Sequence, residues 1–146
     1  MNRVFLSYSA KDASIAAAIR EVLRRLGFRV WWAGGLSPGA EWFAVIGRAL
    51  KRCDSMVVVV SPRAMESEVV MSELRYAATH ANFRFRIFPV LIEPTPRLPW
   101  LFSVMQVFDL TRDQTRELKS LAQAIREGEN RTPPQSRPGP SRATPR

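Results

Sequence analysis

Four apolar runs stand out along the chain, Arg3–Tyr8, Phe28–Trp32, Met56–Val60 and Arg86–Ile92, with a weaker fifth at Gln106–Leu110. The third contains Val57-Val58-Val59-Val60, β-branched throughout and without polar alternation. A strand with one wet face alternates apolar and polar residues. An unbroken run fits a strand covered on both faces, at the centre of a parallel sheet. Between these runs apolar residues recur at helical spacing. Ile15, Ile19, Val22, Leu23 and Leu26 mark a first helix, stopped by Gly27, with Asp12 or Ser14 as its cap. Phe43, Ile46, Gly47 and Leu50 mark a second, with Arg48, Lys51 and Arg52 late in it, where the helix dipole favours cations. Val69, Val70, Leu74, Ala77 and Ala78 mark a third, and Leu118, Leu121, Ala122 and Ile125 a fourth, followed by Gly128. Pro94, Pro96 and Pro99 predict an irregular connection before the last strand, with a short helix near Trp100–Met105. The order β-α-β-α-β-α-β-(irregular)-β-α predicts a single three-layer α/β domain. It has a five-stranded parallel sheet with helices on both faces.

Composition narrows the function. The chain has 146 residues and a net charge of +9, a length suited to one domain. No apolar run approaches the roughly 18 residues of a membrane span, and the N-terminal apolar stretch is short for a signal peptide. Cys53 is the only cysteine and His80 the only histidine. That count excludes intrachain disulfides and Cys-based zinc, and argues against His-dependent triads and multi-histidine metal sites, so no metal is expected. Both residues read as structural, and a reducing cytoplasmic setting is expected. The segment 128–146 reads as a disordered tail. From Glu129 on it holds five prolines and four arginines but no Val, Ile, Leu or aromatic residue, too little to offset the entropy of ordering. The folded part is basic as well. Such a surface attracts nucleic acid, anionic lipid or phosphorylated small molecules, yet no nucleic-acid motif accompanies the charge. A solvated surface is the simpler reading.

In a parallel α/β sheet the ligand crevice lies outside the carboxyl ends of the strands. The segments to inspect are therefore 9–14, 33–40, 61–67 and 93–100. The first follows Ser7-Tyr8-Ser9, whose small and hydroxyl groups can bond a ligand. No G-x-G-x-x-G or Walker loop is present. The second is a glycine-rich loop, entered by Trp31 and Trp32, which read first as core, and left by Trp42. The third leads to Glu66, Glu68 and Glu73. Glu66 and Glu73 are two helical turns apart and can share a face. They are either acids favoured near a helix N-terminus or a carboxylate aimed into the crevice. Such a carboxylate can stabilise an oxocarbenium-like transition state.

Several segments together resemble the Toll/interleukin receptor (TIR) domain in its bacterial form. Val4–Asp12 looks like the family's first box, Val30–Gly39 like its second strand and BB loop, and Ala49–Ser61 like its second helix and central strand. Ser61-Pro62, Ser67-Glu68 and Glu73-Leu74 resemble the third-helix signature. The resemblance spans roughly residues 1–127 and implies a flavodoxin-like fold. It implies two classes of function. Animal receptor and adaptor members act mainly as scaffolds through TIR–TIR contacts. Many bacterial, plant and neuronal members cleave NAD+ at the nicotinamide–ribose bond, some producing cyclic ADP-ribose isomers as antiphage signals. By this resemblance Glu73 is the catalytic carboxylate, and NAD+ is a substrate rather than a bound cofactor. Tyr8 and Ser9 would lie near the nucleotide, with Leu36 and Ser37 of the BB loop covering it. Val69 stands where enzymatic relatives often carry tryptophan, and Ala33 where bacterial ones often carry aspartate. Trp100 is either an aromatic wall for nicotinamide or a core anchor of the Pro-rich connection. The resemblance also implies homotypic assembly and a sensor or effector partner. The alternative function is a non-enzymatic interaction module in signalling or in interference with host signalling.

Overall fold

The computed structural model describes residues 3–33, 39, 41–83 and 86–130. Five strands, β1 (Arg3–Ser7), β2 (Arg29–Trp31), β3 (Ser55–Val60), β4 (Ile87–Leu91) and β5 (Phe108–Asp109), form one sheet in the order β2-β1-β3-β4-β5, every pair parallel. The helices are α1 (Ala13–Arg25), α2 (Trp42–Arg52), the short α3 (Pro62–Met65), α4 (Glu68–Thr79) and α5 (Gln114–Glu127). The expected α/β architecture is therefore present, with each strand within two residues of its sequence-based bounds.

The β-branched run explains the layers. Along β3, Met56, Val58 and Val60 pack with residues of α2, α3 and α4, while Val57 and Val59 pack with α1 and α5. Strand alternation sends successive side chains to opposite faces, so a strand covered twice needs apolar residues throughout. All six β3 residues are buried.

Helix ends follow the local chemistry at α4 and α5, whereas the cap residues of α1 and α2, Asp12 and Glu41, make no side-chain capping bond. Ser67 accepts from the Val70 N–H at the start of α4, and Asp113 from the Arg116 N–H at the start of α5. Gly27 and Gly128 have φ of 98° and 86°, and Gly128 donates back to Ala124 and Ile125 to close α5. For Asp12 the reason is tertiary: its side chain is committed elsewhere.

Other departures concern helix faces. On α2 the buried residues are Ile46, Ala49 and Leu50, with Trp42 packed against them, whereas Phe43 is 68% exposed and touches Trp42 edge-on. The stripe is rotated by one residue, because the helix begins at Trp42 and the larger ring takes the inward place. On α4 the buried face is Val70, Glu73, Leu74 and Ala77; Val69 is half-buried and Ala78 exposed.

The folded chain also continues beyond 127. Asn130 is buried, donates from Nδ2 to the Ile87 and Gln106 carbonyls, and accepts from the Gln106 N–H. Residue 130 thus ties the end of α5 to the base of the sheet, where β5 does not reach. The rest of the expected tail, 131–146, lies outside the described residues.

Candidate active site

The strand order reverses direction between β1 and β3, which makes the carboxyl ends of these two strands the topological switch point of the sheet. Ser7 ends β1, and Ser61 follows β3. Ser7 is the first polar residue after Val4-Phe5-Leu6, and it is buried. Its hydroxyl donates to Glu73 Oε1 at 2.6 Å. Glu73 lies on the buried stripe of α4 because it sits three residues after Val70 and one before Leu74, positions that face the sheet. The result is a carboxylate 7% exposed with one hydrogen bond among the described residues, from a neutral hydroxyl. Burial pushes its pKa up to about 7, and the Ser7 hydrogen bond offsets part of the rise. Tyr8 follows at the strand end. Burial raises its phenol, and the charge on Glu73 raises it further. The Tyr8 ring packs at a tilt on Trp32, with centroids 5.9 Å apart.

Beside this centre, three carboxyl-edge loops are bolted together. Asp12, 5% exposed, accepts from the Ser61 hydroxyl at 2.6 Å and from Arg63 Nε at 2.8 Å. Arg63 Nη2 also donates to Glu93 at 2.6 Å. One guanidinium thus spans the loops after β1, β3 and β4. The bonds to Glu93 and Asp12 raise the Arg63 pKa further and keep it charged.

The expected site residues fare differently. Glu73 meets Ser7, whereas the Tyr8 ring, one residue on, packs with Trp32 against the α1/α5 side of the sheet. Ser9 is buried and shapes the turn: its hydroxyl accepts from the Lys11 N–H and its carbonyl from the Asp12 N–H. Leu36 and Ser37 lie outside the described residues. Val69 is half-buried in the first turn of α4. Trp100 is 79% exposed on a 3-10 turn, Trp100–Val104, so the core-anchor reading fails there. Phe102, 3% exposed, is the anchor, because a turn of three residues per repeat puts only one of the two rings inward. Glu66 ends α3, is exposed, and shares no face with Glu73. Trp31 and Trp32 are half-buried. Trp31 stacks on Phe5 at 5.0 Å, and the guanidinium of Arg20 lies 4.9 Å from the Trp32 ring. Cys53 is buried, its thiol pushed up to about 11 by burial and by Asp54. His80 stacks on Tyr76 and contacts its carbonyl, as a structural residue would.

Sequence reading named Ser7 among hydroxyls able to bond a ligand but missed its pairing with Glu73, and missed the linked set Asp12, Ser61, Arg63 and Glu93. For Ser7 the available signal was a hydroxyl closing an otherwise apolar strand. For the others no spacing rule applies, since Asp12 and Arg63 are 51 residues apart.

Among the described residues no cluster of three His, Cys, Asp or Glu side chains is placed to hold a metal. No helix there is long and apolar enough to cross a membrane. A family model described as "TIR domain" matches residues 4–125. No curated protein matches the chain. Among solved structures, the chain is similar to the TIR domain of the Toll-related receptor TRR-2 from Hydra magnipapillata. The identity is 21%, the match covers 84% of this chain and 97% of that one, and the TM-score is 0.70. It is also similar to the TIR domains of the activated Roq1 resistosome, which recognises the pathogen effector XopQ. There the identity is 16%, the coverage 87% and 98%, and the TM-score 0.62. Likeness at these identities concerns the fold.

Proposed function

The chain belongs to the TIR-domain family, and from that premise we propose that it cleaves NAD+ at the nicotinamide–ribose bond, with Glu73 as the catalytic carboxylate. The observation that carries this reading is a buried carboxylate at the switch point of the sheet, held by a neutral hydroxyl and by no cation among the described residues. Such a group is left in want of positive charge. Cleavage supplies it: the electron pair of the ribose–nitrogen bond leaves with nicotinamide, and positive charge moves onto the ribose. An ionised Glu73 in a water-poor site stabilises that charge as it develops and can accept hydrogen bonds from the ribose hydroxyls. Ser7 fixes the carboxylate's orientation. Attack by water, with loss of a proton, gives ADP-ribose; attack by an internal nucleophile gives a cyclic isomer. Tyr8 lines the approach, and Leu36, Ser37, Val69 and Trp100 complete the proposed nucleotide contacts. Defence signalling in the cytoplasm, dependent on assembly with other TIR domains and a sensor partner, is the setting this chemistry suits.

The test is NAD+ consumption by the purified protein, with and without a crowding agent, resolved by chromatography beside Glu73→Ala. Turnover that vanishes in the variant supports the assignment, and the product peak separates hydrolysis from cyclisation. Turnover indifferent to the substitution removes Glu73 from the mechanism.

A second reading, a non-enzymatic TIR–TIR module, draws on the exposed apolar side chains Leu98, Trp100 and Val104 in the β4–β5 connection. Assembly that survives Glu73→Ala and is lost in Trp100→Ser, with no NAD+ turnover in any state, would favour it.

A further inference from the structure

At the amino ends of β1 and β2, opposite the Glu73 crevice, a groove of about 480 Å³ opens between the sheet and α2. Four arginines rim it: Arg3, Arg29, Arg48 and Arg52. Two separate features bring them there. Arg3 and Arg29 are register partners on adjacent parallel strands. Both point to the α2 side, because Phe5 and Trp31, two residues further along, lie in the core shared with α2. Arg48 and Arg52 stand four residues apart on α2. Like charges facing across a sheet, or four apart on a helix, repel, and here both pairs meet at one opening. None of the four makes a side-chain ion pair among the described residues. The carboxylate of Asp54, beside the groove-lining Cys53, accepts from the Arg3 backbone N–H and the Ser55 hydroxyl. The helix dipole accounts for Arg52, and protection of an edge strand for Arg29. Neither accounts for Arg3 and Arg48 converging with them.

An unneutralised set of guanidinium forks is suited to phosphate oxygens, which they can bind in pairs. Trp31, Val45 and Ala49 supply apolar surface beneath. The volume falls in the range of small-molecule sites. We propose that this groove binds a small, multiply phosphorylated anion of nucleotide size, at a site separate from the Glu73 crevice.

Calorimetric titration of the full chain with tripolyphosphate and with ATP, at about 0.1 M salt, tests this. Saturable one-site binding is expected, weakened about tenfold or more by R48E/R52E. It should be retained in R116E/K119E, which removes the same charge from exposed positions on α5. Glu73→Gln should leave it unchanged, so the result stands apart from the catalytic reading. Melting without ligand checks that R48E/R52E folds, and R48A/R52A serves if it does not. Binding unaffected by the groove substitutions overturns the proposal, as does equal loss in R116E/K119E. A single-stranded oligonucleotide that displaces ATP with affinity rising with length would also overturn it, and assign the groove to nucleic acid.

Discussion

Two carboxylates lie buried at the carboxyl edge of the same sheet, and they are solved in opposite ways. Asp12 is matched by a hydroxyl and a guanidinium, and the guanidinium is shared with a third loop. Glu73 is matched by one hydroxyl, and its pKa rises to about 7. A buried charge with a hydrogen-bonded counter-ion is structural: it fixes the loops that shape the crevice. A buried charge without one costs stability, and under the proposed function a cationic transition state is what would use it. The difference teaches how the proposed function divides the two: the unmatched carboxylate is the one available for chemistry, and the matched one holds its surroundings still.

The largest expected effect is on turnover. Glu73→Ala should lower the rate of NAD+ consumption about a thousandfold or more, while Asp12→Asn should leave measurable turnover in the protein that remains folded. Parallel assays of the two variants check this, and equal losses would dissolve the contrast.

Stability should respond with opposite sign. A carboxyl whose folded pKa is raised from 4.5 to about 7 favours the folded state fully below pH 4.5. That contribution is lost as pH rises through 7. Glu73→Gln removes the titration and keeps an acceptor for Ser7, so it should stabilise the protein at pH 8 by up to about 3 kcal/mol. The gain should shrink between pH 7 and 4.5 and vanish below, as read by urea unfolding at several pH values. Asp12→Asn should instead lower the melting temperature by several degrees at pH 8, since it leaves Arg63 with a weaker partner.

The pH–rate profile sharpens the same point. If ionised Glu73 acts, kcat/KM rises with pH through about 7, and a profile flat from pH 5 to 8 would contradict that. The smallest effect belongs to Ser7→Ala. The Ser7 bond lowers the Glu73 pKa, so its loss should move the midpoint of that profile upward by a fraction of a unit to about one unit.

Much of this molecule is determined by the sequence alone. The β-branched run at β3, the helical stripes of α1, α4 and α5, and Gly27 and Gly128 all act through local periodicity and backbone sterics. The sheet, its two-sided cover and the position of Glu73 one residue before Leu74 were legible for that reason. Tertiary structure decided what depends on residues distant in sequence. It turned Phe43 outward and Phe102 inward, buried Asn130 beneath the sheet, and drew Asp12 away from its helix cap to meet Ser61 and Arg63. It also set Ser7 against Glu73 across 66 residues. A periodic pattern reports which face of an element is apolar. Which buried charge finds a counter-ion is settled only when separate strand ends meet, because the electrostatic energy depends on a distance that no spacing along the chain encodes.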